Sequence, residues 1–221
     1  MINVKRSFPA PEILEEEKQK KNGNYNQKEV LDRLKQDFHN KCYICETKSG
    51  TFNIEHLISH KGNKNLKFAW ENLFLSCGHC NNIKLNDYDD ILDCTKEDVE
   101  NYISYRFEPL LPKAKVKIEA LKNDNRVKKT VELLDKVYNG TTVLKNMESE
   151  NIRKRLLDEL MKFQKMIYNY EYEDFDEEDK LMLLQKIKSS LKDSSEYTAF
   201  KRWMIKDVQD LKEELEIMSE K

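Results

Sequence analysis

Glycine and proline are scarce in this chain, five and four among 221 residues. That leaves too few turn formers for an architecture of many tight turns. With 36% charged residues, the composition favours long polar helices. No run of about 18 apolar residues occurs, which removes a membrane-spanning helix and a membrane partner. Behind the opening Met1-Ile2-Asn3-Val4-Lys5-Arg6 there is no apolar core of a signal peptide, so the expected location is cytoplasmic. A large basic excess is missing too: the net charge of −2 argues against a generally basic nucleic-acid sponge.

Cysteine is the informative presence. Cys42-Tyr43-Ile44-Cys45 and Cys77-Gly78-His79-Cys80 are two C-x-x-C pairs separated by 31 residues. Two thiolates at that spacing suit one tetrahedral Zn²⁺, and the interval leaves room for a hairpin and a turn. In a reducing compartment the four are expected as metal ligands rather than disulfides, with Cys94 as a buried or spare thiol. Between the pairs stand Glu55-His56 and Trp70-Glu71-Asn72-Leu73, so acid–base groups lie within the same region as the clamp.

The near-neutral total conceals blocks of opposite sign. Residues 1–85 carry 14 basic against 10 acidic side chains, 86–108 carry 2 against 8, 109–166 carry 14 against 8, and 167–221 carry 9 against 15. Positive charge therefore accompanies the cysteine region and the stretch after residue 108, where a phosphate backbone could lie, although solvated helix faces give the same pattern.

The fold class read from the pattern is α+β, mainly α. Pro11 opens a short charged helix ending near Asn22-Gly23-Asn24, and Gln27–Asn40 places Val30, Leu31, Leu34 and Phe38 at helical spacing. Thr51–Ile58 alternates like a strand, Ser59–Lys67 reads as a loop, Trp70–Leu75 as a short helix or turn, and a helix begins near Asn81. Beyond residue 95 the pattern is almost wholly helical, with helices expected over Lys113–Leu121, Val127–Tyr138, Glu148–Tyr170, Asp179–Leu191 and Glu196–Met218. Breaks fall at Pro109–Pro112, at Asn139-Gly140 and at the acidic Glu171–Asp179 run. Three segments result: an N-terminal arm and helix (1–40), a cysteine-bearing core (41–95) and a helical partner-binding or structural region (96–221).

Over Cys42–Lys84 the sequence resembles the HNH family of endonucleases. Ile54-Glu55-His56 stands where those enzymes carry an acidic residue and a catalytic histidine, Trp70-Glu71-Asn72-Leu73 at their W-x-N-L, and Cys80-Asn81-Asn82-Ile83-Lys84 at their closing C-[HN]-x-x-K. The run Asn72–Asn81, with Phe107-Glu108-Pro109 and Ala199–Trp203, is similar to the retron- and Septu-associated HNH nucleases of bacterial antiphage defence. The resemblance implies a zinc-stabilised ββα-metal core with Zn²⁺ held by Cys42, Cys45, Cys77 and Cys80. It also implies a catalytic Mg²⁺ or Mn²⁺ at Glu55 and Asn81, with Asn72 orienting the histidine or bracing its loop, DNA as substrate, and an ABC/SMC-like ATPase as partner.

Residue chemistry points the same way. Phosphodiester hydrolysis needs an activated water, a cation to neutralise developing charge, and rigid positioning. His56 suits the general base and Glu55 is a hard oxygen donor. Adjacent strand residues point oppositely, so Glu55 and His56 converge only if the strand ends or twists there. Lys61 and Lys84 suit phosphate contacts, His60 an ordinary polar loop position, and His79 a solvent-exposed place within its knuckle. Two other readings remain: a non-catalytic zinc-stabilised module that binds nucleic acid or protein, and a standalone restriction nuclease.

Overall fold

The computed structural model describes residues 1–109, 114–140 and 143–206, with side chains from 147 onward in the last stretch. Its elements are α1 (Ile13–Gln19), α2 (Lys28–Asp37), β1 (Asn53–His56), α3 (Lys64–Phe68), β2 (Leu73–Ser76), α4 (Gly78–Lys84), β3 (Ile103–Glu108), β4 (Lys115–Ala120), α5 (Asn125–Asn139), α6 (Val143–Tyr172), α7 (Glu177–Ser190) and α8 (Thr198–Lys206). The class is α+β with helix predominant. None of the described helices is long and apolar enough to cross a membrane.

The strands form two separate antiparallel pairs, β1 with β2 and β3 with β4. In the first, Glu55 lies opposite Phe74 and His56 opposite Leu73. All four residues of β2 are buried, and a strand buried on both faces reads as a continuous apolar run, which is why Leu73-Phe74-Leu75 lacks alternation. A single 3-10 turn, Trp70–Asn72, delivers the chain into β2, and α4 follows it directly.

Three sequence expectations change here: of the short helix or turn expected over Trp70–Leu75, only Trp70–Asn72 turns and Leu73 onward is strand β2. The helix expected over Lys113–Leu121 is strand β4, paired with β3, so the stretch beyond residue 95 is not wholly helical. Val116 and Ile118 are buried while Lys115, Lys117 and Glu119 are exposed: the period is two, and β-branched residues hold the buried positions. The loop expected over Ser59–Lys67 ends in the short helix α3, where the Asn63 side chain accepts from the N–H groups of Asn65 and Leu66. The Asn139-Gly140 break falls as expected, with Gly140 at φ +80° closing α5. The Pro109–Pro112 break and the last expected helix, to Met218, lie partly outside the described residues.

One contiguous cluster of buried apolar side chains draws on all three segments, from Met1, Ile2 and Val4 through Leu73, Phe74 and Leu75 to Tyr138 and Phe200. Phe200 of α8 meets Tyr105 of β3 and Tyr138 of α5 edge-on at 5.3 and 5.4 Å between ring centroids. Along α6, 30 residues and about 45 Å, Ile152, Leu156, Leu160 and Phe163 form the buried stripe at steps of three and four.

The later helices also brace the first cysteine pair. Tyr138 donates its hydroxyl to the Cys45 carbonyl at 3.0 Å, Thr47 donates to Tyr197 at 3.2 Å, and the Ala199 N–H donates to Glu46 Oε2 at 3.2 Å. On the other side Arg6 reaches from the N-terminal arm to the carbonyls of Leu73 (2.6 Å) and Trp70 (2.7 Å), its guanidinium 4.0 Å from the Trp70 ring centroid. The short first hairpin is thus gripped from both ends of the chain.

Candidate metal centre and active site

Cys42 and Cys45 lie in the turn before β1, Cys77 immediately after β2, and Cys80 in the first turn of α4. Pairing of β1 with β2, together with a hydrogen bond from the Tyr43 N–H to the Leu75 carbonyl at 2.9 Å, brings the two halves together. All four sulfurs are buried and lie within 4.8 Å of one another. A tetrahedron of Zn–S bonds has sulfur–sulfur edges of about 3.8 Å, and the Cys45 and Cys77 sulfurs stand 3.8 Å apart.

The thiols are unevenly disposed to ionise. Burial opposes ionisation of Cys42, but hydrogen bonds from the Cys45, Cys77 and Cys80 thiols outweigh it and hold Cys42 well below the ordinary thiol range. Hydrogen bonding within the tetrad pushes Cys45 well up, and burial does the same to Cys80. Four thiolates gathered in one dry nest require a cation at its centre. The cluster therefore has the donor chemistry and the spacing to hold a structural metal ion such as zinc.

His56 is the last residue of β1 and is buried to 7% exposure. Its Nε2 lies 3.0 Å from the Lys67 carbonyl of α3. A carbonyl can only accept, so that nitrogen carries the proton and the Nδ1 lone pair is left for a base. Desolvation lowers the His56 pKa, the hydrogen bond to the Lys67 carbonyl opposes it, and neighbouring His60, Lys84 and Lys67 add to the lowering. The ring also meets Tyr25 edge-on at 4.6 Å and His60 at 4.9 Å.

Glu55 takes different partners. Its Oε1 accepts from Lys84 Nζ at 3.1 Å, and the same ammonium donates to the His56 carbonyl at 2.8 Å and the Leu85 carbonyl at 3.4 Å. Burial pushes the Glu55 carboxyl up, while Lys84 pulls it back. Expected as a phosphate contact, Lys84 is instead fully enclosed with its three N–H groups engaged; it bolts α4 to the end of β1. Asn81 stands three residues before Lys84 on α4.

Asn72 braces the loop after β1. Its Oδ1 accepts from the Ile58 N–H at 2.8 Å, and its Nδ2 donates to the carbonyls of Ile58 (2.8 Å) and Leu66 (3.1 Å). Lys61 keeps an exposed ammonium 3.2 Å from Asp89. His60 is a loop residue whose Nδ1 accepts from the Gly62 N–H at 3.1 Å. His79 departs from its expected exposure: its side chain is 8% exposed, with Nδ1 2.7 Å from Glu148 and Nε2 2.9 Å from the Val137 carbonyl, because α5 and α6 pack over the second cysteine pair. Cys94 is a buried thiol, pushed up to about 12 by burial and Asp93.

Sequence reasoning missed two contributors. Lys67 acts on His56 through its backbone carbonyl, which no side-chain pattern reveals. Tyr25 comes from the α1–α2 turn, 31 positions before His56, with only Asn22–Asn24 marking a turn nearby. No protein-family model matches this chain, and neither a curated protein nor a solved structure does.

Proposed function

We propose that this protein is a metal-dependent HNH endonuclease that hydrolyses DNA phosphodiester bonds, with structural zinc at Cys42, Cys45, Cys77 and Cys80. The observation that carries this reading is the fixed tautomer of His56: Nε2–H donated to the Lys67 carbonyl, Nδ1 left as base, within a two-strand and helix unit closed by a tetracysteine nest. His56 takes the proton from a water that attacks the phosphorus; the phosphodiester bond breaks as the leaving oxygen departs. Burial lowers the His56 pKa, which favours the neutral imidazole that accepts that proton.

A divalent cation, Mg²⁺ or Mn²⁺, would be held by the remaining Glu55 carboxylate oxygen and the Asn81 amide oxygen with water completing the shell, and would supply charge neutralisation at the phosphoryl group. Lys84 holds the Glu55 carboxylate in place, and Asn72 fixes the loop that follows His56. Lys61, exposed at the rim, is the lysine available to a DNA phosphate.

Resemblance to the Septu-type nucleases supports a further step, in which the chain works as an effector of antiphage defence alongside an ABC/SMC-like ATPase. The deciding measurement is plasmid cleavage with Mg²⁺ or Mn²⁺ by wild type and by His56→Ala, both folded and zinc-loaded, with and without any co-encoded ATPase. Cleavage by wild type alone supports the nuclease, and dependence on the ATPase supports the defence complex over a standalone restriction enzyme. Nucleic-acid binding unchanged by His56→Ala, with no cleavage by either protein, would leave a zinc-stabilised binding module.

A further inference from the structure

We propose that Tyr25 is a positioning residue of this site, holding the His56 imidazole in the orientation that its single hydrogen bond leaves free. The inference deepens the nuclease reading and rests on it for its activity arm. One N–H···O bond, Nε2 to the Lys67 carbonyl, fixes where that nitrogen points but lets the ring pivot about the bond. Tyr25 meets the imidazole at 4.6 Å between centroids and an interplanar angle of 76°, and His60 meets it at 4.9 Å and 63°; together the two rings close the pivot.

The turn that presents Tyr25 is itself fastened to the element holding His56. Lys67 donates its ammonium to the Gly23 carbonyl at 2.7 Å while its own carbonyl holds His56, so a single residue of α3 registers both. The Asn24 N–H donates to Glu17 Oε2 at 2.8 Å. A side chain at position 23 has no room, since a Cβ there would lie 1.7 Å from the Glu17 carbonyl oxygen, so glycine is required for this close approach. Burial and the nearby Glu55 charge push the Tyr25 phenol up.

The test uses the full zinc-loaded chain as wild type, Tyr25→Phe and Tyr25→Ala, each matched for zinc content and far-UV circular dichroism. With ¹³C,¹⁵N-labelled histidine, the His56 ring should be rigid in wild type and Tyr25→Phe and mobile in Tyr25→Ala, with the Nε2–H tautomer kept in all three. At saturating plasmid, Tyr25→Ala should cut about 10–100-fold more slowly with its half-saturating DNA concentration unchanged, and Tyr25→Phe should stay within about 3-fold of wild type. Wild-type ring rigidity and rate in Tyr25→Ala would overturn the proposal, and equal losses in both variants would assign the effect to the hydroxyl instead of the ring. If wild type never cuts, the nuclease reading fails and the ring-mobility measurement alone decides whether Tyr25 positions the imidazole.

Discussion

The two hairpins among the described residues are built on the same plan and held by opposite means. In each, an asparagine side chain brackets a peptide group: Asn72 accepts from the Ile58 N–H and donates to the Ile58 carbonyl, and Asn139 does the same to Val116 at 3.1 and 2.8 Å. The first hairpin has four-residue strands, a wholly buried β2, and a tetracysteine nest at its open end. The second has six-residue strands, with β4 alternating buried and exposed against α5 and with α8 packed on β3. Strands of four residues form too few ladder bonds to stand alone. The first hairpin therefore depends on its clamp and on the chain packed around it, whereas the second is an ordinary amphipathic pair that a helix covers.

The largest effect is expected from denying the cysteine cluster a metal. Cys77→Ser, or exhaustive chelation of the wild type, should drop zinc from about one ion per chain to none and unfold the first hairpin, because structural zinc in small sites contributes on the order of 10 kcal/mol of apparent binding free energy. Hydrogen exchange should show protection lost over residues 42–84 while α5 keeps its own. Metal-free protein with an intact first hairpin would refute the dependence argued here.

A core substitution on each hairpin comes next. Phe74→Ala removes a fully buried ring packed against Phe38 at 5.5 Å and Tyr43 at 4.9 Å. It should cost about 3–5 kcal/mol in denaturant unfolding. Ile118→Ala, at a site 8% exposed on the half-solvated strand, should cost about 2 kcal/mol. Equal losses would mean that the second hairpin is as deeply built into the core as the first.

The same contrast explains what could be read without coordinates. The cysteine spacing, the Glu55-His56 pair and the Asn72 brace are side-chain identities at fixed intervals, so the sequence displays them. The helices after Asp124 are legible as well, since their apolar residues repeat at three and four positions. Lys115–Ala120 was misassigned because its lysines and glutamate fit a polar helix by composition, and only the Val116/Ile118 alternation marks it as a strand. Lys67 was invisible because its backbone carries the contact. Lys84 reads as a phosphate ligand because a helix beginning near Asn81 would put it close to an anion-favouring N-terminus, but α4 runs from Gly78 and ends at Lys84, where three oxygen acceptors converge on it.

Lys84 supplies a smaller test that bears on the candidate site. Lys84→Met keeps most of the buried stem but removes the ammonium shared by Glu55 and the His56 carbonyl. The expected loss is about 2 kcal/mol, a fall of roughly 4–8 °C in Tm, because an acceptor pair is left unmatched in a mostly enclosed place. Glu55 then loses the charge that pulls its carboxyl back from the upward push of burial. A Tm within about 1 °C of wild type would mean that the bolt between α4 and β1 contributes nothing to the fold.

The two asparagine brackets give the finest comparison, because chemistry is constant and only surroundings differ. Asn72 is 7% exposed and serves three backbone groups, so Asn72→Ala leaves buried donors and acceptors unpaired. Asn139 is half-buried at the end of α5, where water can replace what its amide supplied to Val116. Asn72→Ala should therefore cost about 2 kcal/mol and Asn139→Ala about 1 kcal/mol or less, with each Asn→Asp exchange falling between its alanine variant and wild type. The order matters more than the sizes: a larger loss at Asn139 would show that the second hairpin hangs on its bracket, and that the metal clamp, not the Asn72 side chain, holds the loop behind His56.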